Sequence, residues 1–325
     1  MSDLRANHIE RDHIMRHEFA AIVCSDIHLS HRKPVFRDPE PDWYEAQRRP
    51  LDQIRWLQSH VFNDTIPVVI AGDLFDRWNS PPELIGFAMD TLPNWVLALP
   101  GQHDLPNHDY SNMQRSAYGV LVKAKRIQHF CMENGPYHIQ NAMLYGFPWG
   151  FPITSRAGKS KRAEGVQIAV CHQFVYQDPK QAKWAPEESR AMAVKTRIDA
   201  EGYDLGVFGD NHQGFRAAGV FNCGGLMRRT LDQLDYKPRI GLITKTGASV
   251  TIYLDTSQDL NIEPGTIVTE LVSHMDFSEM IQSIRELGSD GLKFVDIVNG
   301  LIRKSEVSEQ VRRIVAEVIT NDRRR

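Results

Sequence analysis

The sequence predicts an α/β protein with mixed β-sheets flanked by helices, followed by a small helical C-terminal module. Three observations point there. Short apolar runs alternate with helical patterns early in the chain, later apolar runs follow one another with only turns between, and after residue 255 helical periodicity takes over. The 325 residues, 42% hydrophobic and 24% charged, suit one large globular domain with an appendage.

The elements follow in order. Residues 1–18 form a polar N-terminal arm, without the apolar core of a secretory leader, and its His8, His13 and His17 read as tail residues. Residues 19–24, 66–71, 95–99, 166–171 and 204–208 are β-branched or apolar runs with strand character. Leu51, Ile54, Leu57 and Val61 recur at helical spacing and predict a helix over 51–61. Leu84, Ile85, Ala88, Met89 and Leu92 predict another over 81–92, started by Ser80 and Glu83 as a capping box with proline in the first turn. Strands alternating with helices imply crossovers and a largely parallel core sheet. Residues 137–147, 217–222, 240–244 and 249–255 read as hairpins, which makes the sheet system mixed.

The domain so defined spans 19–255. Beyond a boundary near 256, Phe277, Met280, Ile281, Ile284 and Leu287 share one helical face, as do Val307, Val311, Ile314, Val315 and Val318. Residues 256–325 therefore read as the helical module.

No apolar stretch reaches the roughly 20 residues a membrane span needs. Cys24, Cys131, Cys171 and Cys223 are widely separated with no C-x-x-C pair, which argues for a reducing, cytoplasmic setting and against structural zinc. The net charge of −3 does not advertise nucleic acid, but basic clusters at Arg32-Lys33, at Arg48-Arg49, across Arg156, Lys159, Lys161 and Arg162, and at Arg323–Arg325 permit a polyanionic substrate. Gly158-Lys159-Ser160 resembles the end of a phosphate-binding loop, but Ile153 stands where that motif needs glycine.

The chemistry lies at the strand exits. They read SDIHL (residues 25–29), AGDLFD (71–76), PGQHD (100–104), CHQ (171–173) and GDNH (209–212). In open α/β sheets the connecting loops splay apart at that edge and sites assemble there. So many carboxylates and imidazoles on one edge would repel or stay unsatisfied without a cation. The set of carboxylate, imidazole and carboxamide suits manganese, iron, zinc or magnesium, with no thiolate for a sulfur site.

The ordered motifs over residues 19–255 resemble the calcineurin-like metallophosphoesterases. Within them SDIHL, AGDLFD and the NCGGLMRR segment (222–229) most resemble the SbcD-like DNA double-strand-break repair nucleases. The resemblance implies a metallophosphoesterase fold and two divalent ions, Mn2+ foremost with Mg2+ or Fe2+ as alternatives, activating a bridging hydroxide. It implies Asp26, His28 and His212 at the first ion, Asp73 between both, and Gln102, His172 and Asp210 at the second. His103 would be catalytic beside the scissile phosphate, Asp76 and Asp104 would orient the ligands, and Arg228 and Arg229 would contact substrate. It further implies DNA as substrate, a separate SMC-like (SbcC-like) ATPase as partner and a nuclease homodimer, with no membrane.

Two positions depart from the family pattern, which has asparagine where this chain has Gln102 and histidine where it has Asp210. Both fall on the second ion: Gln102 keeps a carboxamide oxygen on a side chain one methylene longer, Asp210 puts an anionic oxygen where the pattern has a neutral nitrogen, and with both bound the site would be harder and more negative. Two other functions stay open: a stand-alone phosphodiesterase or pyrophosphatase for small substrates, and a non-catalytic scaffold with a degraded second metal site.

Overall fold

The computed structural model describes residues 19–155, 165–181 and 185–262. The expected arm over 1–18, the basic cluster within 156–162 and the helical faces beyond 263 lie outside the described residues.

Among the described residues two mixed six-stranded sheets carry the fold. The first contains β1 (Phe19–Cys24), β2 (Val68–Ala71), β3 (Val96–Leu99) and β4 (Gln128–His129), all parallel, with the hairpin β11 (Arg239–Thr244) and β12 (Ser249–Tyr253) antiparallel beside β1. The second runs β5 (Tyr137–Ile139), β6 (Ala142–Phe147), β7 (Val166–His172), β8 (Leu205–Gly209), β10 (Val220–Asn222) and β9 (Phe215–Ala217). In it β6, β7, β8 and β10 are parallel, while β5 and β9 are antiparallel edges.

Strand periodicity explains the layering. Val69, Leu97 and Leu99 point inward against Leu144, Ile168, Val170 and Val207 of the other sheet. The alternate residues Ile22, Val68, Ile70 and Val96 face outward under α1 (Trp43–Trp56), α2 (Pro82–Thr91) and α3 (Ala117–Lys123). On the far side, Tyr145, Phe147, Ala169 and Cys171 pack against Ala191, Val194 and Ile198 of α4 (Ala191–Glu201). Strands buried on both faces explain why these segments read as unbroken apolar runs.

Two local expectations are corrected. The helix expected over 51–61 begins at Trp43, capped by Asp42 accepting the Glu45 N–H at 3.1 Å, and its last turn, Leu57–Val61, is π-helical. Pro50 is tolerated inside it, on the buried face with Ala46 and Ile54. The Ser80–Glu83 capping box does not form. Pro81 is the N-cap of α2, and Ser80 Oγ instead donates to the Arg77 carbonyl at 2.8 Å. With Pro81 in the N-cap position no side-chain acceptor stands there, and the Leu84 N–H bonds the Pro81 carbonyl at 3.0 Å instead.

The described chain continues past residue 256 along the same domain. Leu260 N–H donates to Glu40 at 2.9 Å and Ile262 N–H to the Phe36 carbonyl at 3.0 Å. Among the described residues no helix is long and apolar enough to cross a membrane.

Candidate metal centre

The exits of β1, β2, β3, β7 and β8 converge on one edge. The β1 and β2 exits stay bonded to each other after the strands end: Asp26 N–H donates to the Gly72 carbonyl and His28 N–H to the Asp73 carbonyl, both at 3.0 Å. Asp26, His28, Asp73 and Asp210 all sit at positive φ, at 50°, 49°, 52° and 82°. Left-handed backbone is rare for residues with a side chain and concentrates where the surroundings over-determine it. Two glycines make room. A Cβ on Gly72 (φ 95°) would stand 2.0 Å from His172 Nδ1, and one on Gly101 would stand 2.1 Å from Asp73 Oδ1.

The resulting side chains form three overlapping clusters: Asp26, His28 and His212; His28, Asp73 and His103; Asp26, Asp73 and His172. His28 Nε2 and His212 Nε2 are 3.1 Å apart, and Asp26 Oδ1 lies 3.6 Å from His212 Nε2. Asp73 Oδ2 stands 3.6 Å from His28 Nε2 and 3.3 Å from His172 Nε2, so one carboxylate oxygen serves both halves. The other, Oδ1, accepts the His103 N–H at 2.9 Å. His172 Nδ1 is engaged by the Ala71 carbonyl at 2.7 Å, which orients the ring and turns Nε2 towards Asp73.

Burial sets the electrostatics. It raises the Asp26 carboxyl, with His172 and His212 opposing and Asp73 adding to the rise. It lowers the His28 imidazole well below its ordinary range. For His172 burial would do the same, but the Asp73, Asp26 and Asp210 carboxylates outweigh it and lift the imidazole to about 10. Asp73 is lowered, because His172, His28 and His103 overcome the cost of its burial.

Over residues 20–214 the sequence matches the calcineurin-like phosphoesterases. The chain belongs to that family. No curated protein sequence matches it. Among solved structures it is similar to a candidate 5′-nucleotidase from Staphylococcus aureus in complex with alpha-ketoglutarate. The identity is 12% and the TM-score 0.42, over 75% of this chain and 56% of that one, so this chain spans little more than half its length. It is also similar to the calcineurin-like phosphoesterase YfkN from Bacillus subtilis, with 12% identity, a TM-score of 0.44, and 82% of this chain and 99% of that one covered.

Calcineurin-like phosphoesterases are dinuclear metal enzymes, and the residues present fit such a centre. Among the described residues Asp73 Oδ2, His172 Nε2 and Gln102 Oε1 are buried without a hydrogen-bond partner. Buried lone pairs left unmatched are costly, and a cation satisfies them together. The donors are carboxylate oxygen, carboxamide oxygen and imidazole nitrogen, a set for a hard or borderline divalent ion.

Around this calcineurin-like centre the remaining sequence-predicted residues take distinct places. Asp104 is buried and accepts the Leu74, Phe75 and Gly101 N–H groups at 2.9–3.1 Å, pinning the β3 loop to the β2 loop. Burial and the neighbouring Asp73 charge push its carboxyl up to about 7, against those three amides. Asp76 Oδ1 lies 3.7 Å from His28 Nδ1, and its carbonyl engages His103 Nδ1 at 3.0 Å. Gln102 and Asp210 are bonded to each other, Nε2 to Oδ1 at 2.8 Å, and Asp210 is in none of the three clusters. Arg229 bonds Asp76 Oδ1 and the His28 carbonyl, each at 2.9 Å. Arg228 is turned towards Asp259 and the Leu234 carbonyl.

Sequence reasoning missed two contributors. Ser25 Oγ donates to Asp26 Oδ2 at 2.5 Å. Trp149 stands edge-on to His172, with ring centroids 6.4 Å apart. Trp149 follows β6, which is parallel to β7, so the rule that exits carry the site would have found it had that strand not been read only as half of a hairpin.

Proposed function

We propose that this chain is a metal-dependent phosphodiesterase that processes DNA ends, an SbcD-like nuclease subunit. The observation that carries the reading is a buried carboxylate–imidazole cluster that opens to solvent through His103 and His212, the latter 41% exposed. A site at the surface admits a long polymer where a closed cavity would not. The exposed residues next along the chain from the ligand loops, His31, Arg32, Arg77, Trp78 and His108, add cationic and aromatic groups suited to phosphates and bases.

In this reading Asp26, His28 and His212 hold one divalent ion and Asp73 reaches both, with His172 and Gln102 at the second. When bound, the ions neutralise phosphate charge and make a hydroxide nucleophile accessible at neutral pH. The chain's residues do the rest. Asp104 and the His103 N–H fix Asp73 between the two positions. His103, with Nδ1 held by the Asp76 carbonyl, presents Nε2 to carry a proton to the leaving oxygen or to stabilise developing charge. The same reading carries a separate SMC-like ATPase and a second copy of the chain as partners, in the cytoplasm.

A second reading, a phosphodiesterase for small substrates, is favoured by one observation: the guanidiniums of Arg228 and Arg229 are both bonded within the protein. The two are separated by nucleotide release from end-labelled duplex and single-stranded DNA with Mn2+, with Asp73→Asn as control. Release that vanishes in the variant is expected. No release, alongside hydrolysis of bis(p-nitrophenyl) phosphate by the same preparation, favours the small-substrate enzyme or a nuclease that needs its ATPase partner.

A further inference from the structure

Gln102 and Asp210 are the two positions at which this chain departs from its family pattern, and the fold brings them into contact. Gln102 follows β3 in one sheet and Asp210 follows β8 in the other, yet Gln102 Nε2 donates to Asp210 Oδ1 at 2.8 Å. The two ends of the carboxamide therefore have different fates. Its nitrogen is spent on Asp210, while its oxygen Oε1 is buried and has no hydrogen-bond partner among the described residues.

A carboxylate can only accept, so Asp210 forces the amide nitrogen towards itself and the oxygen away. Gln102 lies between Gly101, where the missing Cβ leaves space for Asp73, and His103, whose N–H donates to Asp73. Asp210 is itself held. Its N–H donates to both Asp26 oxygens at 3.1 and 3.2 Å, and its backbone is fixed at φ 82°. The extra methylene of Gln102 supplies the reach to span from its own loop to the exit of the other sheet.

We propose that Asp210 is a positioning residue and not a metal ligand: it locks the Gln102 carboxamide so that Oε1 is the donor presented to the second ion, and the pair works as one unit. The proposal rests on the dinuclear reading above. It also accounts for both departures at once, since a longer amide and an acceptor opposite it are useful only together.

The test is Mn2+ binding to the full chain by isothermal titration calorimetry, comparing wild type, Asp210→Asn, Gln102→Met and the double variant. The carboxamide that Asp210→Asn introduces can donate as well as accept, which frees the Gln102 amide to turn. Asp210→Asn is expected to weaken one of the two ions roughly 10–100-fold, as loss of a supporting contact does, Gln102→Met to weaken the same ion at least as much, and each to leave the other ion unchanged. The double variant is expected to be no weaker than Gln102→Met. Losses that multiply in the double variant would make Asp210 an independent ligand and overturn the proposal, as would an unchanged affinity in Asp210→Asn. Uptake of a single ion insensitive to both substitutions overturns the pair's role while leaving a metal centre standing. A wild-type chain that takes up no Mn2+ overturns the metal centre and the proposal together. Circular-dichroism melts accompany each titration, and Gln102→Ala and Asp210→Ser replace any variant that proves unfolded.

Discussion

His172 owes its place to an atom its neighbour lacks. Gly72→Ala would put a methyl 2.0 Å from its ring in a backbone at φ 95°, so overpacking of about 1–3 kcal/mol adds to left-handed strain of roughly 1–2 kcal/mol. Urea unfolding of Gly72→Ala should show that loss, whereas Gly86→Ala, where an added Cβ meets nothing within 4 Å, should cost nothing. Asp73→Asn should cost more Mn2+ affinity than the roughly 10–100-fold of a supporting residue, because its carboxylate faces both His28 and His172. The acidic and imidazole residues were legible in the sequence because hard-to-bury types recurred at successive strand exits. The glycines' role was not, since which ring fills a missing Cβ depends on a strand a hundred residues away. Nor was the bond between Gln102 and Asp210, which joins two loops that share no local pattern.

At the scale of elements, the segment after β10 reaches back to the exits of β1 and β2 through Arg229. Its guanidinium bonds the Asp76 carboxylate, which stands 3.7 Å from His28 Nδ1, an atom without a hydrogen bond among the described residues. A carboxylate behind a histidine ligand orients the ring and raises its basicity. Arg229→Met should therefore weaken Mn2+ binding about tenfold or more in a direct titration. If Arg229 served substrate instead, the variant would raise KM for a phosphoester substrate and leave the Mn2+ titration untouched. Most strands were legible from their apolar runs. Helix α1 was legible only in its second half, because Pro50 looks like a start signal when it is in fact one more residue on a buried face. Helix α4 went unread although Ala191, Val194 and Ile198 lie at helical spacing. Three apolar positions among charged neighbours are a weak signal until a sheet face supplies what they pack on.

Across the whole molecule, the two-sheet arrangement was legible as mixed sheets flanked by helices, but not which strands share a sheet, since register is set by contacts distant in sequence. The same distance hides a buried ion network. Arg37, wholly buried, pairs with Glu40 at 2.6 Å and Asp259 at 3.0 Å, and Glu40 also meets Arg49 at 2.5 Å. Burial alone would raise the Glu40 carboxyl, but the Leu260 N–H and the Arg49 and Arg37 guanidiniums outweigh it and hold it low. A carboxyl depressed on folding stabilises above its unfolded value and loses that contribution as pH falls through its folded value. The protein should lose stability progressively below pH 4.5, the ordinary value for this group. Glu40→Gln should cost about 1–3 kcal/mol at pH 7, because Arg37 keeps its pair with Asp259 and loses only the charge of its second partner, and should flatten that acid limb. Urea titrations at pH 7 and through the acid range check both statements. Equal acid sensitivity in the variant would shift the cause to other carboxyls.

The left-handed backbone at Asp26, His28, Asp73 and Asp210 bears on how such a protein can be re-engineered. A saturation library at these positions, selected for solubility alone and never for catalysis, should still return Asp, Asn, His and Gly and discard Val, Ile and Thr, whose branched Cβ cannot enter that region. An apparent preference for acidic and imidazole residues in such a screen would then record a filter imposed by the chain trace. New chemistry at this edge is best sought by exchanging residues among those that tolerate positive φ, or by first rebuilding the turns.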